Sequence, residues 1–191
     1  KIFKTQGVKA VVSVGGYSAA PAAFAAIISR TPLFIHEQNA VIGNLNKLLK
    51  PLAKGFFSSY FKPTFSYPVA ERFFSSVRLR SELKTVIFLG GSQGAAAINS
   101  LALKLAPVFK EKGVKIIHQC GKNSLESLQE EYKKLGLSSD ELELFDFDSK
   151  IELKMSRADL AISRAGAGTL WELTANALPS VFVPYPYAAN N

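Results

Sequence analysis

Short runs of apolar, often β-branched residues alternate with longer helical patterns along most of the 191-residue chain. Strands built from Val, Ile, Leu and Phe without polar alternation are typical of parallel sheets that helices cover on both faces. The sequence therefore predicts an α/β fold. Strands are expected at residues 10–14, 33–36, 54–59, 86–89, 114–119, 142–145, 159–163 and 180–183, and helices near 21–29, 45–49, 95–109, 124–135, 151–155 and 169–177.

The alternation is interrupted once, between residues 62 and 84. This stretch contains two prolines, scattered serines and several basic residues, which is typical of a connection between domains. We expect two Rossmann-like domains, residues 1–69 and residues 70–191. Residues 1–4 read like the middle of a helix, so we expect the chain to be a fragment whose first domain is incomplete.

Composition excludes several classes of protein. Apolar residues make up 48% of the chain and charged residues 20%, which excludes disorder and collagen-like repeats. The single cysteine, Cys120, excludes an intramolecular disulfide framework, and with only His36 and His118 beside it a zinc site is disfavoured. The longest apolar run, residues 19–28, is shorter than the roughly 20 residues of a membrane helix. We expect no metal, no cofactor and a reducing, cytoplasmic location.

The net charge of +8 is unevenly distributed. Residues 1–84 carry 12 Lys or Arg and three acids, a net charge of +9, whereas residues 85–191 have a net charge of −1. A basic half indicates an anionic partner, either a phosphorylated substrate or an anionic lipid surface, although a merely solvated face remains an alternative. Nucleic acid is not expected, because no basic stripe interleaved with aromatic residues is present.

A glycine-rich turn joins a strand to a helix three times, at Gly15-Gly16, at residues 90–94 and at residues 164–169. Such a turn places free backbone N–H groups and the positive end of a helix at the carboxyl edge of a parallel sheet, where phosphates bind. Close packing of helix on strand would also favour glycine at any one of these turns. Three turns in one chain favour a nucleotide or phosphate ligand.

The spacing of the glycines argues against two common nucleotide sites. None of the turns reads Gly-x-Gly-x-x-Gly, and the strand that should end in a ribose-binding acid ends in His118-Gln119-Cys120. A P-loop is excluded because no turn continues into Gly-Lys-Ser/Thr.

The densest polar cluster is His36-Glu37-Gln38-Asn39, where a predicted strand ends. These groups suit sugar hydroxyls, phosphate oxygens or proton transfer. A solvated loop in which Asn39 caps the next helix is the alternative.

The string Thr169-Leu170-Trp171-Glu172 has the spacing of a capping box, with Thr169 at the cap and Glu172 three residues later. A carboxylate at this helix start could equally accept hydrogen bonds from ribose hydroxyls. The sequence leaves both roles open for Glu172.

Together these motifs resemble the MurG family, bacterial UDP-N-acetylglucosamine:N-acetylmuramyl-(pentapeptide) pyrophosphoryl-undecaprenol N-acetylglucosamine transferases. The resemblance runs from about Val8 to the end of the chain with the motifs in the expected order. Its most specific strings are His36-Glu37-Gln38-Asn39 and Gly90-Gly91-Ser92-Gln93-Gly94, and it also covers residues 12–21, 164–169 and 177–184.

The resemblance implies a GT-B fold, in which an acceptor and membrane domain (residues 1–69) and a UDP-sugar donor domain (residues 70–191) face each other across a cleft. It implies inverting transfer of N-acetylglucosamine from UDP-GlcNAc to lipid I, giving lipid II for peptidoglycan synthesis. The enzyme would act peripherally at an anionic membrane surface, on the cytoplasmic face of the bacterial inner membrane.

The resemblance also assigns residues to roles. His36 and Glu37 would be catalytic, facing the acceptor diphosphate or the reacting centre, and Gly15, Gly16 and Tyr17 would bind the acceptor. The donor-binding residues would be Asn39, Gly91, Ser92, Gln93, Gly94, Arg164, Ala167, Gly168, Thr169, Leu170, Trp171 and Glu172.

The chain departs from the family pattern at several points. The first glycine loop of the family, with its suggested general base, would precede the chain, and a donor-sugar glutamine and the closing helices would follow it. The family's Asn-Pro-Val-Arg string reads Tyr67-Pro68-Val69-Ala70 here, so the arginine is replaced. A UDP-GlcNAc epimerase of the same architecture and a non-enzymatic UDP-sugar-binding module are the alternative functions.

Overall fold

A computed structural model describes residues 2–91 and 95–185 of the chain. The chain divides into two compact units, one ending at Pro68 and the other beginning at Val69. The strands are β1 (Val11–Ser13), β2 (Leu33–Glu37), β3 (Gly55–Ser58), β4 (Thr85–Leu89), β5 (Lys115–Gln119), β6 (Leu142–Phe145), β7 (Leu160–Ser163) and β8 (Ser180–Phe182). The helices are α1 (Ile2–Thr5), α2 (Ala20–Ile28), α3 (Asn44–Leu49), α4 (Glu71–Phe74), α5 (Ala96–Glu111), α6 (Leu125–Lys134), α7 (Ile151–Arg157) and α8 (Ala167–Ala175).

The first unit contains a parallel sheet of three strands in the order β1-β2-β3. Its buried core joins α2 and α3 to β2, through Ala23, Ala26, Leu33, Ile35 and Leu49. The sheet places the turns after β1 and β2, which contain Gly15 and Asn39, at its carboxyl edge.

The second unit contains a parallel sheet of five strands in the order β6-β5-β4-β7-β8. One face of the sheet packs on α5 and α6 through Phe88, Ile98 and Tyr132. The other face packs on α4, α7 and α8 through Phe73, Met155 and Leu173. Helices therefore cover both faces, as the unbroken apolar strands predict, and the prediction of an α/β protein with parallel sheets is confirmed.

The strand order reverses beside β4. The chain runs outward from β4 through β5 and β6, and then returns to place β7 on the opposite side of β4. In open parallel sheets, ligands bind outside the carboxyl ends of the strands at such a reversal. The turns after β4 and β7 are the second and third glycine-rich turns of the sequence.

The prediction that residues 62–84 connect two domains is wrong for residues 69–84. The short helix α4 buries Phe73 in the core of the second unit. Arg78 pairs with Asp159 and donates to the backbone carbonyl oxygens of residues 156–158, and Arg80 donates to those of Ala158 and Asn176. Two arginines with many partners therefore hold residues 75–84, which form neither a helix nor a strand, against the second unit.

Candidate functional site

A cavity of about 210 Å³ lies at the strand-order reversal of the second unit. It is lined by Leu89, Gly90, Gly91, Gln119, Phe147, Asp148, Ile151, Met155, Ser163, Arg164, Gly166, Thr169 and Glu172. Two other cavities lie away from this edge, one beside the amino ends of β4 and β5 and one between α6 and β6. Of these three cavities, all lined by described residues, the one at the reversal is lined by two of the glycine-rich turns, which makes it the candidate ligand site.

The turn after β4 requires its two described glycines for different reasons. A Cβ atom on Gly90 would lie 2.9 Å from the carbonyl oxygen of Gln119 and 3.1 Å from the amide nitrogen of Ala95, so no larger side chain fits. Gly91 has a φ of +74°, in the left-handed region that favours glycine. Three predicted donor-binding residues of this turn, Ser92, Gln93 and Gly94, lie outside the described residues.

The helix after β7 begins earlier than the sequence predicts. The N-cap of α8 is Gly166, which has an extended backbone and, as a glycine, no side chain to cap the helix. Thr169 is the third residue inside the helix. Thr169 is therefore not a cap, and Glu172 is the sixth residue of the helix, in its second turn. The capping-box interpretation of Glu172 is wrong, because the glycine at position 166 starts the helix instead.

The Glu172 carboxyl is half-buried and lines the cavity. Burial raises its pKa above the ordinary value; Arg72 opposes this rise and Glu152 adds to it. Within the described part of the chain, no hydrogen bond or ion pair to this carboxylate is found. A partly dehydrated acceptor group that faces a cavity is suited to receive hydroxyl donors from a ligand.

Arg164 lines the same cavity, and one nitrogen of its guanidinium donates to the backbone. Its Nη1 atom donates to the carbonyl oxygens of Val183 (3.1 Å) and Pro184 (2.6 Å). Its guanidinium lies 5.6 Å from the centre of the Tyr185 ring. Arg164 therefore fixes the turn after β7 to the segment that follows β8.

The other predicted donor-binding residues of the second unit divide into two groups. Thr169 lines the cavity, whereas Ala167, Gly168, Leu170 and Trp171 lie on α8 but are not among the lining residues. Their half-buried positions fit packing along this helix.

Sequence reasoning missed the residues that follow β6. Phe147 and Asp148 line the cavity, and Phe147 exposes 62% of its surface. The backbone amide of Lys150 donates to Asp148, and the Lys154 ammonium lies 3.1 Å from the Asp148 carboxylate. The available signal was the carboxyl end of a third parallel strand, since β6 ends at the same edge as β4.

Glu37 of the first unit is buried, with 1% of its surface exposed, and accepts four hydrogen bonds. Oε1 accepts from the amide nitrogen (2.9 Å) and the side-chain nitrogen (3.1 Å) of Asn39. Oε2 accepts from the amide of Gly43 and from the side chain of Asn46, both at 2.9 Å. Burial raises the pKa of Glu37, but the four hydrogen bonds outweigh it, so the pKa lies below its ordinary value. The geometry favours a carboxylate that holds the loop over residues 39–43.

The turn after β1 is fitted to the same loop. Gly15 and Gly16 have φ angles of +88° and +79°, and a Cβ atom on Gly15 would lie 2.9 Å from the side-chain nitrogen of Asn46. Asn46 thus connects the first glycine-rich turn to Glu37. Tyr17, which follows the turn, is 86% exposed, and the His36 ring centre lies 5.7 Å from that of Tyr67.

Two parallel sheets flanked by helices, with glycine-rich turns at their carboxyl edges, place the protein in the broad class of Rossmann-like α/β proteins. The family model for the glycosyltransferase family 28 C-terminal domain matches residues 85–191, and that for the N-terminal domain matches residues 1–58. The chain belongs to glycosyltransferase family 28.

Similar proteins include a Campylobacter jejuni protein called UDP-N-acetylglucosamine--N-acetylmuramyl-(pentapeptide) pyrophosphoryl-undecaprenol N-acetylglucosamine transferase. It is 59% identical over 191 residues, which are all of this chain and 55% of that protein. The crystal structure of Acinetobacter baumannii MurG is 33% identical, with a TM-score of 0.71 over 98% of this chain and 56% of that one. The resemblance to the MurG family is confirmed, and the chain spans about half the length of the curated relatives it matches.

A putative UDP-N-acetylglucosamine 2-epimerase from Listeria monocytogenes has a similar structure, with a TM-score of 0.61 over 95% of this chain and 58% of that one. At 10% sequence identity this similarity shows the fold alone. It therefore gives no support to the epimerase alternative.

Proposed function

We propose that the protein is an inverting N-acetylglucosaminyltransferase that moves the sugar of UDP-GlcNAc to lipid I in peptidoglycan synthesis. The observation that carries the proposal is the cavity of the second unit, where two glycine-rich turns meet a carboxylate that forms no hydrogen bond or ion pair with the described residues. The names of the C. jejuni relative and of the A. baumannii structure indicate the substrates.

In this proposal the second unit binds the donor. The turn at Gly90-Gly91 and the first turn of α5 present N–H groups to the UDP diphosphate, and Glu172 accepts hydrogen bonds from the ribose hydroxyls. Phe147 and Asp148 complete the wall of the site. Among the predicted donor-binding residues, Arg164 shapes the turn and Trp171 packs along α8.

The reaction replaces one bond to the anomeric carbon by another. A hydroxyl oxygen of lipid I forms the new bond as the bond to the diphosphate oxygen breaks, the configuration inverts, and the hydroxyl proton passes to a base. UDP leaves with additional negative charge on the diphosphate oxygen, which N–H donors fixed in place before the reaction stabilise. We assign this stabilisation to the N–H groups of the Gly90-Gly91 turn and of the first turn of α5.

In this proposal the first unit binds the acceptor, lipid I. Glu37 positions the loop of residues 39–43 and the Gly15-Gly16 turn through Asn46, so that its role is to hold the acceptor surface in shape. His36, half-buried beside Tyr67, and the exposed Tyr17 are the groups of this unit that we assign to contact with lipid I. Asn39 is assigned to the donor sugar.

We assign the membrane contact to the first unit as well. Lys47, Lys50 and Lys54 are exposed, and Leu48 and Leu52 between them expose 62% and 59% of their surface. Lysines next to exposed leucines suit an anionic lipid surface, to which each basic residue contributes about 1 kcal/mol. No helix in the described ranges 2–91 and 95–185 is long and apolar enough to cross a bilayer.

Ligand titration by calorimetry on this chain tests the donor site. UDP-GlcNAc is expected to bind more tightly than NAD, because the strand before Cys120 supplies no ribose acid while α8 supplies Glu172. Tighter binding of NAD would overturn the assignment.

The reaction itself is tested on the complete gene product with radiolabelled UDP-GlcNAc and lipid I. Labelled lipid II is expected in the presence of lipid I, and unchanged UDP-GlcNAc in its absence. Conversion of the UDP-sugar into an epimer without lipid I would favour the isomerase alternative, and binding without any turnover would favour the binding module.

A further inference from the structure

A chain of buried polar side chains lies directly behind the candidate donor site. His118 at the end of β5 is fully buried, and its ring nitrogens lie 3.0 Å from Oδ1 of Asn99 and 2.9 Å from the hydroxyl of Tyr132. The side-chain nitrogen of Asn99 donates to the carbonyl oxygen of Cys120 at 3.1 Å. We call His118, Asn99 and Tyr132 the His118 network.

The hydrogen bonds fix the proton positions in this network. Because Nδ2 of Asn99 donates to Cys120, its Oδ1 is the acceptor, so Nε2 of His118 carries the proton. Nδ1 of His118 then accepts from the hydroxyl of Tyr132. Burial lowers the pKa of His118 to about 4, which keeps the ring neutral at physiological pH.

The network joins three elements that meet at the candidate site. Asn99 lies on the first turn of α5, where its amide donates to the carbonyl oxygen of Ala95 at 2.9 Å. Its Oδ1 lies 3.6 Å from the position of a Cβ atom on Gly90, and the Gly90 amide donates to Gln119 at 3.1 Å. Gly90 and Gln119 line the cavity, whereas Asn99 and His118 stand immediately behind them.

Such a network does more than fill space. Apolar side chains of similar size would pack the same volume without the cost of burying an imidazole, an amide and a phenol. Fully satisfied hydrogen bonds add a defined orientation, which apolar contacts supply less strictly. The orientation fixed here is that of the first turn of α5 against the turn after β4.

We propose that Asn99 and His118 are positioning residues for the diphosphate of the bound nucleotide. They hold the N–H groups of the first turn of α5 and of the Gly90-Gly91 turn at a fixed separation, so that both can donate to the same diphosphate. Tyr132 orients His118 from the other side. This inference rests on the proposed function, because it takes the cavity to be a UDP-sugar site.

The test compares the affinities of UDP and uridine, since only UDP carries the diphosphate. Asn99→Leu in the 191-residue chain is expected to weaken UDP binding about tenfold, the upper range of coupling through such networks, while uridine binding changes by less than about twofold. His118→Leu should behave like Asn99→Leu. His118→Gln retains a donor toward Asn99 and should recover part of the UDP affinity.

Two further variants separate positioning from general stability. Tyr132→Phe removes only the hydroxyl that bonds His118 on the side away from Asn99, so a smaller loss of UDP affinity, about two- to threefold, is expected. If Asn99→Leu does not fold, Tyr132→Phe takes its place in the test. Asp159→Asn is the control, since Asp159 precedes β7 at the opposite edge of the sheet and holds Arg78 and the amides of Lys84 and Thr85. It should lower the melting temperature without changing the ratio of UDP to uridine affinity.

The outcomes separate this inference from the proposed function. If the wild-type chain binds UDP and folded variants of the His118 network keep its ratio of UDP to uridine affinity, the positioning role is overturned while the proposed function stands. Equal weakening of both ligands also overturns it, because that is the signature of a merely structural role. If the wild-type chain does not bind UDP, the donor site itself is wrong.

Discussion

The two units place a glutamate beside the carboxyl edge of a parallel sheet and use it in opposite ways. Glu37 is buried and accepts four hydrogen bonds from its own chain, which lower its pKa. Glu172 is half-buried, faces a cavity and has a raised pKa. A carboxylate whose acceptor sites are filled maintains a shape, whereas one that faces a cavity without such bonds is available to a ligand.

The basic residues of the two units also differ in whether their bonds lie within the unit or their side chains are exposed. Arg78 and Arg80 of the second unit are committed to hydrogen bonds inside it, so they account for part of the +9 charge of residues 1–84 without contributing to an anionic partner. Lys47, Lys50 and Lys54 of the first unit are exposed. Net charge alone does not distinguish these two uses.

Glu37→Gln should give the largest effect on stability. The amide nitrogen would replace an oxygen that accepts two hydrogen bonds, and each lost charge-assisted bond costs roughly 1.5–3 kcal/mol. We expect the free energy of local opening around residues 39–46 to fall by about 4 kcal/mol, measured by amide hydrogen exchange at Gly43.

The control is Glu130→Gln on the exposed face of α6, which should change exchange at Gly43 by less than about 0.5 kcal/mol. Because the folded pKa of Glu37 is lowered, its stabilisation is present above the ordinary carboxyl pKa and is lost as pH falls through the folded value. Wild type and Glu37→Gln should therefore converge in acid. Unchanged exchange at neutral pH would contradict the structural role of Glu37.

His118 predicts a pH dependence of the second unit. Its pKa is lowered by burial from 6.5 to about 4, so between these values the unfolded chain binds a proton that the folded chain does not. The free energy of unfolding should therefore decrease by about 3 kcal/mol as pH falls across this window. The free energy of unfolding of His118→Gln, measured by denaturation followed through the fluorescence of Trp171, should not show that decrease. Parallel pH profiles of wild type and His118→Gln would contradict the assignment of this pH dependence to His118.

Glu172→Gln tests whether the carboxylate of Glu172 binds the ribose hydroxyls. Ribose hydroxyls that donate to a carboxylate form bonds worth roughly 1.5–3 kcal/mol each, and a neutral amide retains part of this. UDP-GlcNAc affinity should fall about tenfold, which corresponds to 1.4 kcal/mol. Since Glu172 is not part of a helix cap and burial disfavours its charge, the melting temperature should not fall, and Glu130→Gln should leave the affinity unchanged. Full affinity in Glu172→Gln would remove Glu172 from the nucleotide site.

Lys47→Ala should have the smallest effect. Loss of one lysine near an anionic lipid surface is expected to weaken binding to vesicles by about 1 kcal/mol at low salt, and high salt should reduce the difference. Lys104→Ala, at an exposed position on α5, is the matched control in the second unit. Equal binding of the wild type to neutral and anionic vesicles would contradict the electrostatic contribution.

The fold could be predicted because the apolar strands and the glycine-rich turns are local signals. The cavity at the carboxyl ends of β4 and β7 follows from strand order, which the alternation of strands and helices constrains. The start of α8 was predicted wrongly, because Thr169 and Glu172 match a capping box although Gly166 starts the helix. The roles of Arg78, Asn99 and Glu37 could not be predicted, since each depends on partners that only folding brings close.

The segment of residues 69–84, which Arg78 and Arg80 hold against the second unit, determines where the chain can be divided. The family match to the C-terminal domain begins at residue 85, yet the buried Phe73 and the anchoring Arg78 and Arg80 precede it. A truncation at residue 85 would uncover one face of the hydrophobic core and deprive the carbonyl oxygens of Ala158 and Asn176 of their charged donors. An expressible second unit should therefore begin at Val69, where the segment joins the unit that it stabilises.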